Sequence, residues 1–127
     1  MKTLMIDRFA FQDLVRRELP EVDSVLRAHV DKWGPGEMNC PLISHIQEIV
    51  VKEWRRDPES PVTLDLMNRL FKLMELAMAE GDDSTRSCVE VEFVEALAGN
   101  HFRHLGLERF LGPLGQIKWL RLLRPPI

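Results

Sequence analysis

The pattern of apolar and polar positions is clearest at a junction between two helical stretches. Residues 62–80 place leucine and methionine on one broad face of a helix, and residues 85–98 form a second helical stretch. Between them, residues 81–84 read GDDS, in which Gly81 suits a left-handed helix stop and one of the three polar residues can cap the next helix. Two helices joined by so short a turn must fold back on each other, which predicts an antiparallel hairpin.

Three further helices are predicted before this hairpin. The first runs from a cap at Asp7 to about Leu19, and the second opens at Pro20 and stops at the sequence GPG at 34–36. The third opens at Pro41 and closes before Pro58. The second helix has a single apolar face, formed by Val22, Val25, Leu26, Val30 and Trp33.

The C-terminal third is more broken. Residues 88–93 alternate with period two, which is a strand signal, but we predict a helix because a cap precedes them and the helical pattern continues to Ala98. Residues 101–110 predict a short helix interrupted near Gly106, and 114–123 a last helix with Ile117, Leu120 and Leu123 inward. The chain is therefore predicted to be a single all-α domain, 1–127, with six or seven helices in antiparallel hairpins and a solenoid-like middle.

The bulk composition is that of an ordinary globular domain. The 127 residues are 45% hydrophobic and 29% charged, with a net charge of −3 that does not favour nucleic acid or anionic lipid. No apolar run is long enough to cross a membrane, and the start of the chain does not resemble a secretory signal. We therefore expect a cytoplasmic protein in which Cys40 and Cys88 are free thiols, although a bridge between them stays possible.

Charge is unevenly distributed along the chain. Residues 45–95 carry twelve acids and six bases, whereas residues 96–127 carry one acid and five bases. Either the acidic middle and the basic tail offset each other across the fold, or each is a surface for a different partner. On the predicted fifth helix, Glu90 can pair with Arg86 four residues earlier, while Glu92 and Glu95 are expected to face water.

Three constellations could carry chemistry. His45 and Glu48 lie three residues apart on a helix, but the second such pair that a di-metal site needs is missing. His101 and His104 supply two of the four ligands that a zinc site requires. Cys40 could be a reactive thiolate near a helix N-terminus, with His45 as its base. The sequence thus predicts no cofactor or metal and leaves a thiol-dependent enzyme as an alternative.

The C-terminal helix offers a further alternative. Lys118, Arg121 and Arg124 recur every three residues and share one side of the helix, where they could contact nucleic acid. A single basic helix on an acidic protein is more often a solvated face. The tryptophans that could stack on bases lie on predicted apolar faces, and we expect them in the core.

Two resemblances add to this interpretation. Residues 81–97, with an aspartate-rich turn and Arg86, resemble the second helix of a HEAT-type repeat. Much of residues 30–122 also resembles a family of small uncharacterised bacterial proteins, and the class as a whole is similar to immunity proteins of bacterial toxin systems. The matching segments are WGP at 33–35, EGD at 80–82, FVEAL at 93–97, FLGP at 110–113 and Trp119.

The predicted function is that of a non-enzymatic protein-binding module. Its concrete form is an immunity protein whose acidic helix faces cover the basic cleft of a toxin, since complementary charge speeds association. The candidate partner-binding residues are Asp82, Asp83, Glu90, Glu92 and Glu95. The alternatives are the thiol-dependent enzyme with Cys40 and the nucleic-acid contact through the basic helix.

Overall fold

A computed structural model describes residues 5–99 and 102–123, and within these residues the chain is all-α, as predicted. Short 3₁₀ turns lie at Pro20–Val22, Arg103–Leu105 and Leu107–Phe110. The α-helices are α1 (Arg8–Glu18), α2 (Asp23–Trp33), α3 (Asn39–Arg56), α4 (Pro61–Glu80), α5 (Asp83–Val89) and α6 (Pro113–Leu123).

Helix α4 is the centre of the packing, because it contacts α1, α3, α5 and α6. The broad apolar face predicted for this helix is buried, with Met67, Leu70, Met74 and Ala77 fully inaccessible. An apolar arc this wide lets one helix pack against several neighbours. The core that results joins buried side chains from all six helices.

The α4–α5 hairpin forms as predicted, but its turn has a different geometry. Gly81 is extended, with φ −73° and ψ 152°, so the expected left-handed stop is wrong. The turn is instead held by an N-terminal segment: the Ile6 amide donates to the Glu80 carbonyl at 2.8 Å, and the Asp82 amide donates to the Ile6 carbonyl at 2.9 Å. A Cβ at Gly81 would lie 2.2 Å from the Ala77 carbonyl oxygen, so the close approach requires glycine.

The segment with a strand-like pattern is helical, which confirms the prediction made from its cap. After α5 the chain continues as a π turn over Glu90–Val94 and a 3₁₀ turn over Glu95–Ala98. The wider turn shifts the hydrogen-bond ladder, and the Phe93 carbonyl accepts a buried hydrogen bond from Gln47 Nε2 at 3.0 Å. Phe93 and Phe71 pack edge to face beneath it, with ring centroids 4.8 Å apart.

The predicted helix ends in the first half of the chain are confirmed with small shifts. Asp7 caps α1 by accepting the amides of Phe9 and Ala10, and α2 ends at Gly34, which has a φ of 97°. The following loop is tied to α1 by the buried Gln12, whose Oε1 accepts the Gly36 amide at 3.0 Å.

Trp33 is expected in the core, but the structure places it at the surface. It is 44% exposed because it is the last residue of α2, next to the loop. Lys32 Nζ lies 5.0 Å from the centroid of its ring. The other two tryptophans, Trp54 and Trp119, are buried as expected.

Candidate functional site

A carboxylate on α4 caps the first turn of α6. Glu75 Oε2 accepts the amide of Leu114 at 2.8 Å, and Oε1 accepts the amide of Gly115 at 3.0 Å. These amides belong to the first turn of α6, where backbone donors have no intrahelical partner. The contact is close: a Cβ at Gly112 would come within 2.8 Å of Glu75 Cγ. Glu75 therefore fixes where α6 begins and how it lies on α4.

The orientation of α6 differs from the prediction. Trp119 is 8% exposed and packs into the core, and Gly115 and Leu122, which lie four residues before it and three after it, share the inward face. The three side chains that the sequence placed inward, Ile117, Leu120 and Leu123, are 49%, 60% and 50% exposed. We call these three residues the α6 face. It is a row of large apolar side chains on the outside of the protein.

A groove adjoins the α6 face. It has a volume of about 380 Å³ and three walls: the end of α4, α5 with the π turn that follows it, and α6. Its apolar lining includes Met78, Leu114 and Ile117, so Ile117 belongs to both the groove and the α6 face. The charged side chains that line it are Arg86, Glu90, Lys118 and Arg121.

The five predicted partner-binding residues do not form one continuous acidic face. Asp82 is the N-cap of α5 and accepts the Thr85 amide at 2.9 Å, and Asp83 beside it is exposed. Glu90 lines the groove. Glu92 and Glu95 are partly exposed, and 39% of the Glu95 side chain is accessible although it also meets Lys118.

The acidic middle and the basic tail meet across the fold. Glu95 Oε2 lies 3.6 Å from Lys118 Nζ, a partly buried ion pair between the helix that follows α5 and α6. At the end of the π turn, the Glu95 amide donates to the carbonyl of Glu90, five residues earlier. The ion pair of Glu95 with Lys118 supports the interpretation that the two charged regions offset each other. The predicted pair between Glu90 and Arg86 is absent, although both line the groove.

The expectation of free thiols is wrong. Cys40 in the first turn of α3 and Cys88 in α5 form a disulfide, with Cα atoms 4.9 Å apart across 48 residues of sequence. The hairpin carries Cys88 back against the start of α3, a proximity that the two distant sequence positions did not indicate. In this state Cys40 carries no thiolate for the nucleophilic role considered above.

The histidine constellations do not assemble into a metal site within the described residues. His45 and His104 are exposed, and His101 lies outside the residues that the structure describes. Across 5–99 and 102–123, no group of three or more histidine, cysteine, aspartate or glutamate side chains is arranged to hold a metal ion.

Over the same residues, no helix is both long and apolar enough to cross a bilayer.

The basic row of the last helix is divided. Lys118 is engaged by Glu95, Arg121 is exposed beside the groove, and Arg124 lies outside the described residues. Sequence reasoning did not identify Glu75, and it named Arg86 only as a partner for Glu90 and as part of a turn motif. Glu75 carries no local signal beyond its place on α4, and the importance of Arg86 follows only from the groove that surrounds it.

The comparisons with known proteins identify a family. The sequence model of a domain of unknown function, DUF7674, matches residues 13–124, and the chain therefore belongs to this family. Comparison with curated proteins and with solved structures found no match.

Proposed function

We propose that this member of the DUF7674 family is a non-enzymatic protein-binding module that receives its partner on the α6 face. The observation that supports this is the exposure of Ile117, Leu120 and Leu123 beside a groove with apolar walls. Contiguous apolar surface rimmed by charge is characteristic of protein interaction sites. A few residues near the centre of such surfaces supply most of the binding free energy in measured interfaces.

The way α6 is held supports the same proposal. Trp119 anchors the helix in the core, and Glu75 holds its first turn. A surface that is ordered before the partner arrives loses less conformational entropy on binding. The α6 face is thus a preformed surface on a fixed helix.

The specific form that we propose is an immunity protein that neutralises a bacterial toxin. Its acidic residues would steer the encounter with a basic toxin surface, because complementary charge raises association rates more than affinity. Asp83 is the most exposed of the candidates, and Asp82 lies beside it. Glu90, Glu92 and Glu95 are the remaining candidates, although Glu95 already pairs with Lys118.

Location is part of this proposal. The sequence predicts a cytoplasmic protein because its start does not resemble a secretory signal and no apolar run is long enough to cross a membrane. The Cys40–Cys88 disulfide differs from the free thiols expected in that compartment. Disulfides persist mainly in oxidising compartments and are rare in the cytosol. The bridge therefore favours an oxidising compartment over the cytoplasm.

The binding proposal is tested by capture with matched surface variants. Wild-type protein, Leu120→Asp and Val62→Asp serve as baits in lysate of the source cells, with captured proteins quantified by mass spectrometry. Val62 is the control because it is 72% exposed and lies at the start of α4. We expect a protein that wild type and Val62→Asp retain and Leu120→Asp loses, with at least a tenfold weaker Kd for the purified pair, about 1.4 kcal/mol. Retention of every captured protein by Leu120→Asp would contradict the proposal.

The immunity form has its own readout. The captured partner is expressed in a test host, alone and together with this chain, and growth is measured. We expect the partner to inhibit growth and this chain to relieve the inhibition. Asp83→Lys should slow association at low salt, whereas Glu59→Lys, an exposed acid in the α3–α4 connection, should not. A partner without effect on growth would exclude the immunity form and leave the binding module intact.

A further inference from the structure

We infer that the partner presents an amphipathic helix whose apolar side covers the α6 face and whose flanking carboxylate enters the adjoining groove to pair with Arg86 and Arg121. This inference rests on the proposed function and adds the chemistry of the partner. It follows from three features of the region: an unpaired buried donor, the sign of the charge around the groove, and the length of the apolar row.

The unpaired donor belongs to Arg86. Its Nε is buried and has no hydrogen-bond partner, and its Nη2 donates only a long 3.3 Å bond to the Gly81 carbonyl. Within the described residues, no carboxylate forms an ion pair with this guanidinium, although Glu90 lines the same groove. Arg86 lines the groove, so a carboxylate that enters it would pair with this guanidinium through charge-assisted hydrogen bonds, which are strong ones in proteins.

The charge around the groove selects a carboxylate at this one position of the partner, whose basic surface is proposed to meet Asp82 and Asp83 instead. The groove is lined by three cations and one acid: Arg86, Lys118, Arg121 and Glu90. Lys118 already forms an ion pair with Glu95. Helix α6 itself contains two cations and no acid over residues 113–123. A second copy of this chain laid along α6 would bring like charges together, which disfavours self-association at this face. A foreign helix with glutamate or aspartate beside its apolar row has the complementary pattern.

The apolar row has the dimensions of a helical ligand. Leu114 to Leu123 spans nine residue steps, which is about 14 Å along a helix axis. Ile117 belongs to both the row and the groove, so an apolar ligand side chain and a carboxylate one turn away can be accommodated together. A ligand helix of about three turns covers this length, and its apolar side chains that contact the α6 face would be spaced three or four residues apart.

The experiment uses three synthetic peptides as probes. Each is a fluorescently labelled, helix-stabilised 15-residue peptide with the same leucine positions, and the positions flanking the apolar side are all glutamate, all glutamine or all lysine. Binding to the full chain is measured by fluorescence anisotropy at 50 mM and 500 mM NaCl. We expect the glutamate peptide to bind at least tenfold more tightly than the lysine peptide at low salt, with a smaller difference at high salt.

Variants of the protein locate the contact. Arg121→Gln should weaken the glutamate peptide severalfold and leave the glutamine peptide unchanged, and Leu120→Asp should weaken all three. Arg121 is exposed, so its substitution leaves the fold intact. Arg86 is partly buried, so Arg86→Gln is paired with Arg86→Lys, and both are used only after their unfolding curves match wild type. Lysine keeps the charge and should retain part of the preference for glutamate.

The outcomes distinguish failure of the acidic-helix inference from failure of the proposed binding function. Equal affinity for the glutamate and lysine peptides, no binding of any peptide, or an Arg121→Gln variant that binds like wild type would overturn the acidic-helix inference. A captured partner lost on Leu120→Asp would still support the binding module in each case. A concentration-dependent dimer that Leu120→Asp abolishes, measured by sedimentation velocity, would show that a second copy occupies the face and would also overturn the inference.

Discussion

The carboxylate of Glu75 accepts the amide of Leu114 at 2.8 Å, which ties the middle of α4 to the first turn of a helix 39 residues later. The second carboxylate oxygen accepts the next amide, so both oxygens act on α6. A negative group at a helix N-terminus satisfies orphan donors and interacts favourably with the helix dipole. This one side chain sets the position of the helix that presents the candidate binding surface.

Removal of this contact is expected to loosen α6. Glu75→Ala should lower the free energy of unfolding by about 0.5–2 kcal/mol, the range measured for loss of a helix N-cap. Glu75→Gln keeps the shape but loses the charge and one acceptor, so its effect should be smaller. Urea unfolding followed by circular dichroism gives both values. Equal stability of Glu75→Ala and wild type would show that α6 is held by Trp119 and its neighbours alone.

The disulfide is expected to contribute substantially to stability. Cys40 and Cys88 are 48 residues apart in sequence, so their bond closes a long loop in the unfolded chain. Reduction should therefore lower the free energy of unfolding by about 2–4 kcal/mol. The measurement is urea unfolding with and without dithiothreitol. A Cys40→Ser/Cys88→Ser double variant is the control: it should match the reduced wild type and show no response to the reductant. Free thiols in the protein as isolated, detected by alkylation and mass spectrometry, would contradict the bridge.

An ion pair between α4 and the turn after α1 makes stability depend on pH. Arg69 Nη1 donates to Glu21 Oε1 at 2.9 Å, and a second guanidinium nitrogen bonds the other oxygen. These hydrogen bonds hold the pKa of Glu21 below its usual value of 4.5, and partial burial only partly opposes them. The folded pKa is thus lower than the unfolded one. The contribution is complete above pH 4.5 and is lost as the pH falls through the lowered folded value.

The matching experiment compares wild type with Glu21→Gln between pH 3 and pH 7. The Glu21 side chain is 41% exposed, so the difference in unfolding free energy at pH 7 should not exceed about 1 kcal/mol. It should shrink as the pH falls below 4.5 toward the lowered folded pKa of Glu21. Curves that stay parallel down to pH 3 would show that folding does not lower the pKa of Glu21.

The sequence identified some of the candidate site and misplaced the rest for a specific reason. The sequence predicts Asp82 as a possible cap because its type and place beside a glycine are local properties, and the structure shows it capping α5. The sequence does not predict the contact between Glu95 and Lys118, because Lys118 lies on another helix 23 residues away. Arg86 belongs to a turn motif in the sequence, but its unpaired Nε depends on packing that only the fold provides.

What the sequence by itself determined was where helices begin and end. Asp7, Gly34 and Asp82 act within a few residues of themselves, so caps, stops and the all-α class can be inferred without the fold. Tertiary structure alone decided that Cys40 meets Cys88 and which side of α6 faces the core. In α6, Gly115, Trp119 and Leu122 form one face at helical spacing, and Ile117, Leu120 and Leu123 form another. Helical periodicity permits either face to be buried, and the choice depends on where α4 and Glu75 hold the helix.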